Sequence, residues 1–139
     1  MAITAAQVPG LLVAASGWIA EAWQDAAEDN ADPDSPGGRL GYLDAGAVVS
    51  RLADELAAGR TDGFDVLFDL VERLVTEGDD YVSELGVIGY LEGMQMDTVT
   101  SRGLDPEAFA PWLRPTSARY WAALHRFWES GTPIPDLRS

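Results

Sequence analysis

The chain has 139 residues, 47% of them hydrophobic, with 23 acidic side chains against nine basic ones and a formal charge of -14. That size supports one sizeable core, so a single domain over residues 1–139 is expected. The charge repels phosphate backbones and anionic membrane surfaces, which argues against direct nucleic-acid or membrane binding, and the absence of cysteine excludes disulfides, thiol catalysis and thiolate metal sites.

No basic residue precedes Arg39, so the positive start of a secretory signal is missing. The apolar run Leu11-Leu12-Val13-Ala14-Ala15 falls far short of the roughly 20 residues that cross a bilayer. The expected compartment is the cytoplasm. Thr4-Ala5-Ala6-Gln7 has capping-box spacing and predicts a helix start. After an interruption or kink at Pro9-Gly10, Leu11, Leu12, Ala15, Trp18, Ile19, Ala22, Trp23 and Ala26 recur at helical spacing up to Asp29.

Residues 29–43 read as an acidic Pro/Gly loop. Asp44 is a candidate cap for a second helix with Ala45, Val48, Val49, Leu52 and Leu56 on one face, ending at Gly59. Asp62 is placed to cap a third, which carries Phe64, Leu67, Phe68, Val71, Leu74 and Val75 on one side and Asp65, Asp69, Glu72 and Arg73 on the other, up to Gly78. Asp79 and Asp80 then open a fourth helix through about Thr98, where negative charge meets the amide dipoles. Asp105-Pro106-Glu107 predicts a helical turn to about Trp112. Thr116 is a candidate cap for a last helix with Tyr120, Trp121, Leu124, Phe127 and Trp128 on one face, and residues 132–139 read as a non-helical tail. No stretch alternates as a strand does. The expected class is all-α: five to six helices in a compact bundle or a short stack of antiparallel helical hairpins.

Asn30, Asp32 and Asp34 alternate as at the start of a calcium loop, but Ser35 stands where glycine is needed and Gly41 where a bidentate glutamate should be. The single histidine, His125, reads as a helix-flank residue. No metal, cofactor, nucleophile elbow or phosphate loop is indicated. The aromatic set of Tyr120, Trp121, Phe127, Trp128 and Trp112 reads as core.

The fourth helix differs from the others. A wheel at 100° per residue groups Tyr81, Leu85, Ile88 and Met96 with Glu92 among them, and sets Val87, Tyr90, Leu91 and Met94 opposite. A helix apolar nearly all round belongs at the centre of a fold or at an interface, and Gly86, Gly89 and Gly93 permit close approach of a neighbour. A carboxylate within such a stripe needs a donor, so Arg73, Arg119 or Arg126 is the expected partner of Glu92 in a core ion pair. The alternatives are an enzyme carboxylate and a hot spot that accepts a partner's arginine.

The segments Asp65-Val66-Leu67-Phe68-Asp69-Leu70-Val71-Glu72-Arg73-Leu74, Gly78-Asp79-Asp80-Tyr81-Val82, Gly89-Tyr90-Leu91-Glu92-Gly93 and Leu113-Arg114-Pro115, within about residues 64–128, resemble a family of small, acidic bacterial helical proteins of the immunity type, associated with polymorphic toxin systems. The shared features are a Leu-Glu pair late in the central helix, here Leu91 and Glu92, and a Leu-Gly-Pro-like turn in which Arg114 replaces the glycine. The resemblance implies a helical fold and toxin neutralisation, and brings no active site with it. The functional expectation is a non-catalytic module that binds another protein, a basic toxin or nuclease domain, without a cofactor. Its candidate contact residues are Glu92, Asp79, Asp80, Glu84, Asp32, Asp34 and Tyr90. Two alternatives remain open: an acidic nucleic-acid mimic that inhibits a DNA-binding protein, and an enzyme with a helical pocket around Glu92 and Tyr81.

Overall fold

In the helix α3 (Gly41–Ala57), Ala45, Val48, Val49, Leu52 and Ala53 recur every three or four residues and are at most 1% exposed, the pattern of a helix with one face against a core. The computed structural model describes residues 1–15 and 17–138. Among these residues there are six further α-helices: α1 (Val8–Ala15), α2 (Gly17–Ala26), α4 (Phe64–Glu77), α5 (Asp80–Glu84), α6 (Asp97–Thr100) and α7 (Pro115–Ser130). A π-helix spans Leu85–Glu92, and short 3-10 turns lie at Ala5–Gln7, Pro36–Gly38 and Pro106–Trp112. The described residues form no strand, only isolated bridges between Ile3 and Gly78 and between Ala31 and Arg39.

Seven α-helices exceed the expected five to six for two reasons. The first expected helix is two. Pro9-Gly10 does not interrupt it but lies in the first turn of α1, where proline's missing N–H has no helical acceptor to lose. The division comes instead before α2, whose first residue, Gly17, has a φ of +55° that glycine accepts without strain. The fourth expected helix is α5, the π-helix and α6 in succession, and the chain is extended at Met96 (φ -104°, ψ -169°).

Three expected caps are replaced. Asp44 lies inside α3, is 5% exposed, and accepts from Arg39 Nε at 2.7 Å, Arg39 Nη2 at 3.0 Å and Asn30 Nδ2 at 3.1 Å. The Arg39 guanidinium in turn lies 5.2 Å from the centroid of the Trp23 ring, so a buried ion pair clips the acidic loop to α2 and α3. Gly63, at φ +82°, precedes α4, while the Asp62 carbonyl accepts the Trp18 indole N–H at 2.7 Å. Thr116 is buried inside α7, which begins at Pro115 and takes its cap from Glu72 of α4.

The π-helix is central: α3, α4, α5 and α7 all pack on it. A Cβ at Gly86 would lie 2.7 Å from Val75 Cγ2 of α4, and one at Gly89 would lie 3.1 Å from Ala45 Cβ of α3, so these two glycines set how closely both neighbours approach. One hydrophobic cluster runs from Ile3 to Leu124. The tail is non-helical but docked: Tyr120 Oη accepts the Leu137 N–H at 2.7 Å, Arg119 donates to the Leu137 carbonyl at 3.1 Å, and Ile134 and Leu137 pack on the core. No helix among the described residues is long and apolar enough to cross a membrane.

Candidate functional site

The i→i+5 bonding of Leu85–Glu92 puts more residues in each turn than the 3.6 assumed by the wheel, and the faces shift accordingly. Leu85, Gly86, Val87, Tyr90, Leu91 and Met94 are buried, while Ile88, Gly89, Glu92 and Gly93 are half-exposed. Leu85 therefore does not share a face with Ile88 and Glu92. π-Helical turns recur at functional sites, and here Glu84, Ile88 and Glu92 form the outward row, exposed or half-exposed.

Glu92 does not find the arginine expected for it. Arg73 pairs with Glu77 at 3.3 Å, and Arg119 donates to Thr116 Oγ1 and the Leu137 carbonyl. None of the ion pairs among the described residues includes Glu92 or Arg126. Burial raises the Glu92 carboxyl above its ordinary value, with hydrogen bonding from the Trp128 indole acting the other way. Trp128 is 54% and Phe127 39% exposed, their rings edge to face with centroids 5.4 Å apart. These two aromatics leave the core expected of them; Tyr120, Trp121 and Leu124 keep it.

On the same side, Asp80, Glu84 and Ile88 border an open cleft of about 420 Å³ whose other wall is the tail at Ile134 to Asp136. Arg138 closes one end by bonding Asp80 at 3.2 Å and Asp136 at 2.7 Å. Glu84 is exposed and belongs to none of the described ion pairs.

The other candidate contacts are placed differently. Asp79 caps α5, accepting the Val82 N–H at 2.9 Å. Asp32 accepts the Ser35 hydroxyl at 2.6 Å and the Asp34 N–H at 3.2 Å, folding onto its own loop, while Asn30 is turned to Asp44. Tyr90 is 1% exposed, so it is a core residue and not a contact; burial pushes its hydroxyl far above the ordinary phenol range. His125 Nε2 lies 2.9 Å from Glu107 Oε1, which also accepts the Trp121 indole N–H at 3.2 Å, tying α7 to the 3-10 turn. Tyr81 lines two cavities near the start of α3, neither of which Glu92 reaches.

Sequence reasoning passed over Tyr42 and Leu43, which are 38% and 57% exposed at the start of α3. A helix start at the capping side chain Asp44 leaves both in the loop expected over residues 29–43, whereas α3 begins at Gly41. Between Tyr42, Leu43, Pro36, Leu40 and Tyr81 lies a groove of about 290 Å³.

Residues 12–129 match the model of the family described as Domain of unknown function (DUF7674), and the chain belongs to that family. No curated protein and no solved structure matches it.

Proposed function

We propose that this member of the DUF7674 family is a non-catalytic protein-binding module acting in the cytoplasm as an immunity-type protein, which neutralises a toxin by covering its working surface. The observation that carries this reading is Glu92, a half-buried carboxylate outside every described ion pair and set against the exposed Trp128 indole. Holding such a charge partly desolvated is unfavourable in the free protein, and an arriving arginine relieves it with a charge-assisted, forked pair of hydrogen bonds. Trp128 and Phe127 supply the apolar rim that keeps water from that pair, the composition of a binding hot spot. The formal charge of -14 adds long-range attraction for a basic toxin or nuclease domain, and the resemblance to immunity-type proteins points the same way.

The test is co-expression with each protein encoded beside this one. Wild type should restore growth and bind the toxin less tightly as salt rises. Glu92→Gln and Trp128→Ala should lose rescue while keeping the helical circular-dichroism signal. Failure of any neighbouring product to bind, or full rescue by both variants, would overturn the proposal.

A further inference from the structure

Between α2, α3, α5 and the π-helix lies a small, largely enclosed cavity of about 20 Å³. Trp23 of α2, Asp44 of α3, Tyr81 of α5 and Tyr90 of the π-helix line it, beside apolar side chains such as Val8 and Leu85. A water needs roughly 10–15 Å³ of such space, whereas pockets for whole small molecules start at ~300 Å³. The cavity is therefore of the size of one water.

Its lining residues carry hydrogen-bonding capacity that the protein does not use. The Trp23 indole nitrogen is buried and meets no acceptor among the described residues. Tyr90 is 1% exposed, yet neither its hydroxyl nor that of Tyr81 enters a described hydrogen bond. Burial raises both hydroxyls above the ordinary phenol range, so each keeps its proton and can donate as well as accept. Asp44 accepts twice from Arg39 and once from Asn30, while a carboxylate offers about four sites, so one remains. Buried donors left unmatched are destabilising, and a group that reaches several of them at once removes that cost.

From this arrangement we infer that the cavity is a binding site for one structural water, which accepts from the Trp23 indole N–H, donates to Asp44 and bonds the Tyr90 hydroxyl. The chemistry of the wall selects water over other small species. Trp23 can only donate and the Asp44 carboxylate can only accept, so the ligand needs both a lone pair and a proton. Ammonium or a metal cation has no lone pair for the indole, and a halide has no proton for the carboxylate. Bound there, the water joins the buried Arg39–Asp44 ion pair to Trp23 on α2 and to the π-helix at the centre of the fold. The inference is independent of the partner-binding reading above.

Oxygen-17 relaxation dispersion of the full chain counts its long-lived waters, and a water ROESY spectrum locates one of them at the Trp23 indole N–H. Val8→Ile adds a methylene to a side chain in the cavity wall and should displace the water. The count should then fall by one and the cross-peak between water and Trp23 disappear. Ala5→Val, which fills the same cavity from another position, should give the same two readings and serves if Val8→Ile disturbs folding. A wild-type spectrum with no water cross-peak at Trp23, or an unchanged count in a folded cavity-filling variant, overturns the inference. So does a cross-peak that persists in that variant, because it then comes from an exchanging tyrosine hydroxyl proton.

Discussion

Glu72 on α4 and Ser117 on α7 lie 45 positions apart, and the Ser117 amide and hydroxyl both donate to Glu72 Oε1 at 2.8 Å. The Thr116 amide donates to Oε2 at 3.0 Å. Amides in the first turn of a helix have no acceptor within it, and here another helix supplies the carboxylate, at the end where the α7 dipole favours negative charge. One side chain thus caps α7 and fixes it against α4.

Removing that carboxylate should be felt as a lost cap. Glu72→Ala is expected to lower stability by about 1–2 kcal/mol, read as a shift in the urea midpoint at constant slope. Burial acts to raise the Glu72 carboxyl, and the hydrogen bonds from Ser117 and Thr116 outweigh it, leaving the folded value below the ordinary one. The contribution is therefore present above the ordinary carboxylate range and lost as pH falls through the lowered value. Acid unfolding of the variant should lack that component; an unchanged acid limb and midpoint would show that Glu72 does not cap α7.

The Arg39–Asp44 pair is the buried counterpart, with side chains 15% and 7% exposed. Asp44→Ala leaves Arg39 and Asn30 without their acceptor and should cost about 3 kcal/mol. Arg39→Met with Asp44→Leu should cost less than the two single losses together, because neither partner is then left as an unpaired charge. A double-mutant cycle from urea curves measures the coupling, and strictly additive costs would contradict it.

Glu92 should show the opposite pH behaviour. Its carboxyl lies above its ordinary value, so its contribution favours the fold below the ordinary carboxylate pKa and is lost as pH rises through the raised one. Glu92→Gln should melt at a higher temperature than wild type near neutral pH, with the gap closing in acid, while partner binding weakens. A lower melting temperature at neutral pH would mean that Glu92 is compensated within the free protein.

Two glycine substitutions separate packing from helix propensity. At Gly46, inside α3, a Cβ meets nothing within 4 Å, so Gly46→Ala should stabilise by about 0.5–1 kcal/mol. At Gly86 the same atom would press on Val75, with Cγ2 at 2.7 Å and the backbone nitrogen at 3.3 Å, and Gly86→Ala should destabilise by about 1–3 kcal/mol. Thermal unfolding of the two variants should move in opposite directions; a stabilised Gly86→Ala would show that α4 does not sit hard against the π-helix.

The residues alone determined the helical class and the buried stripes of α3 and α4, because helical spacing and polar starts are local signals, as at Ala45 to Leu52 and Phe64 to Val75. The same local reasoning marked the turn opened by Asp105, whose side chain accepts the Glu107 N–H at 2.9 Å. It also singled out Glu92, on a wheel whose period the π-helix then changed. Only the tertiary structure decided what each carboxylate does. From sequence Asp44 reads as a cap, Glu72 as part of a polar face and Glu92 as set in an apolar stripe, yet the first is buried in an ion pair, the second caps a distant helix and the third belongs to none of the described ion pairs. A carboxylate's energy depends on its burial and on which donors the fold brings within about 3 Å, and those donors come from residues far away in the chain. The π-helix likewise belongs to the packed state, where Gly86 and Gly89 let α4 and α3 close on it from two sides.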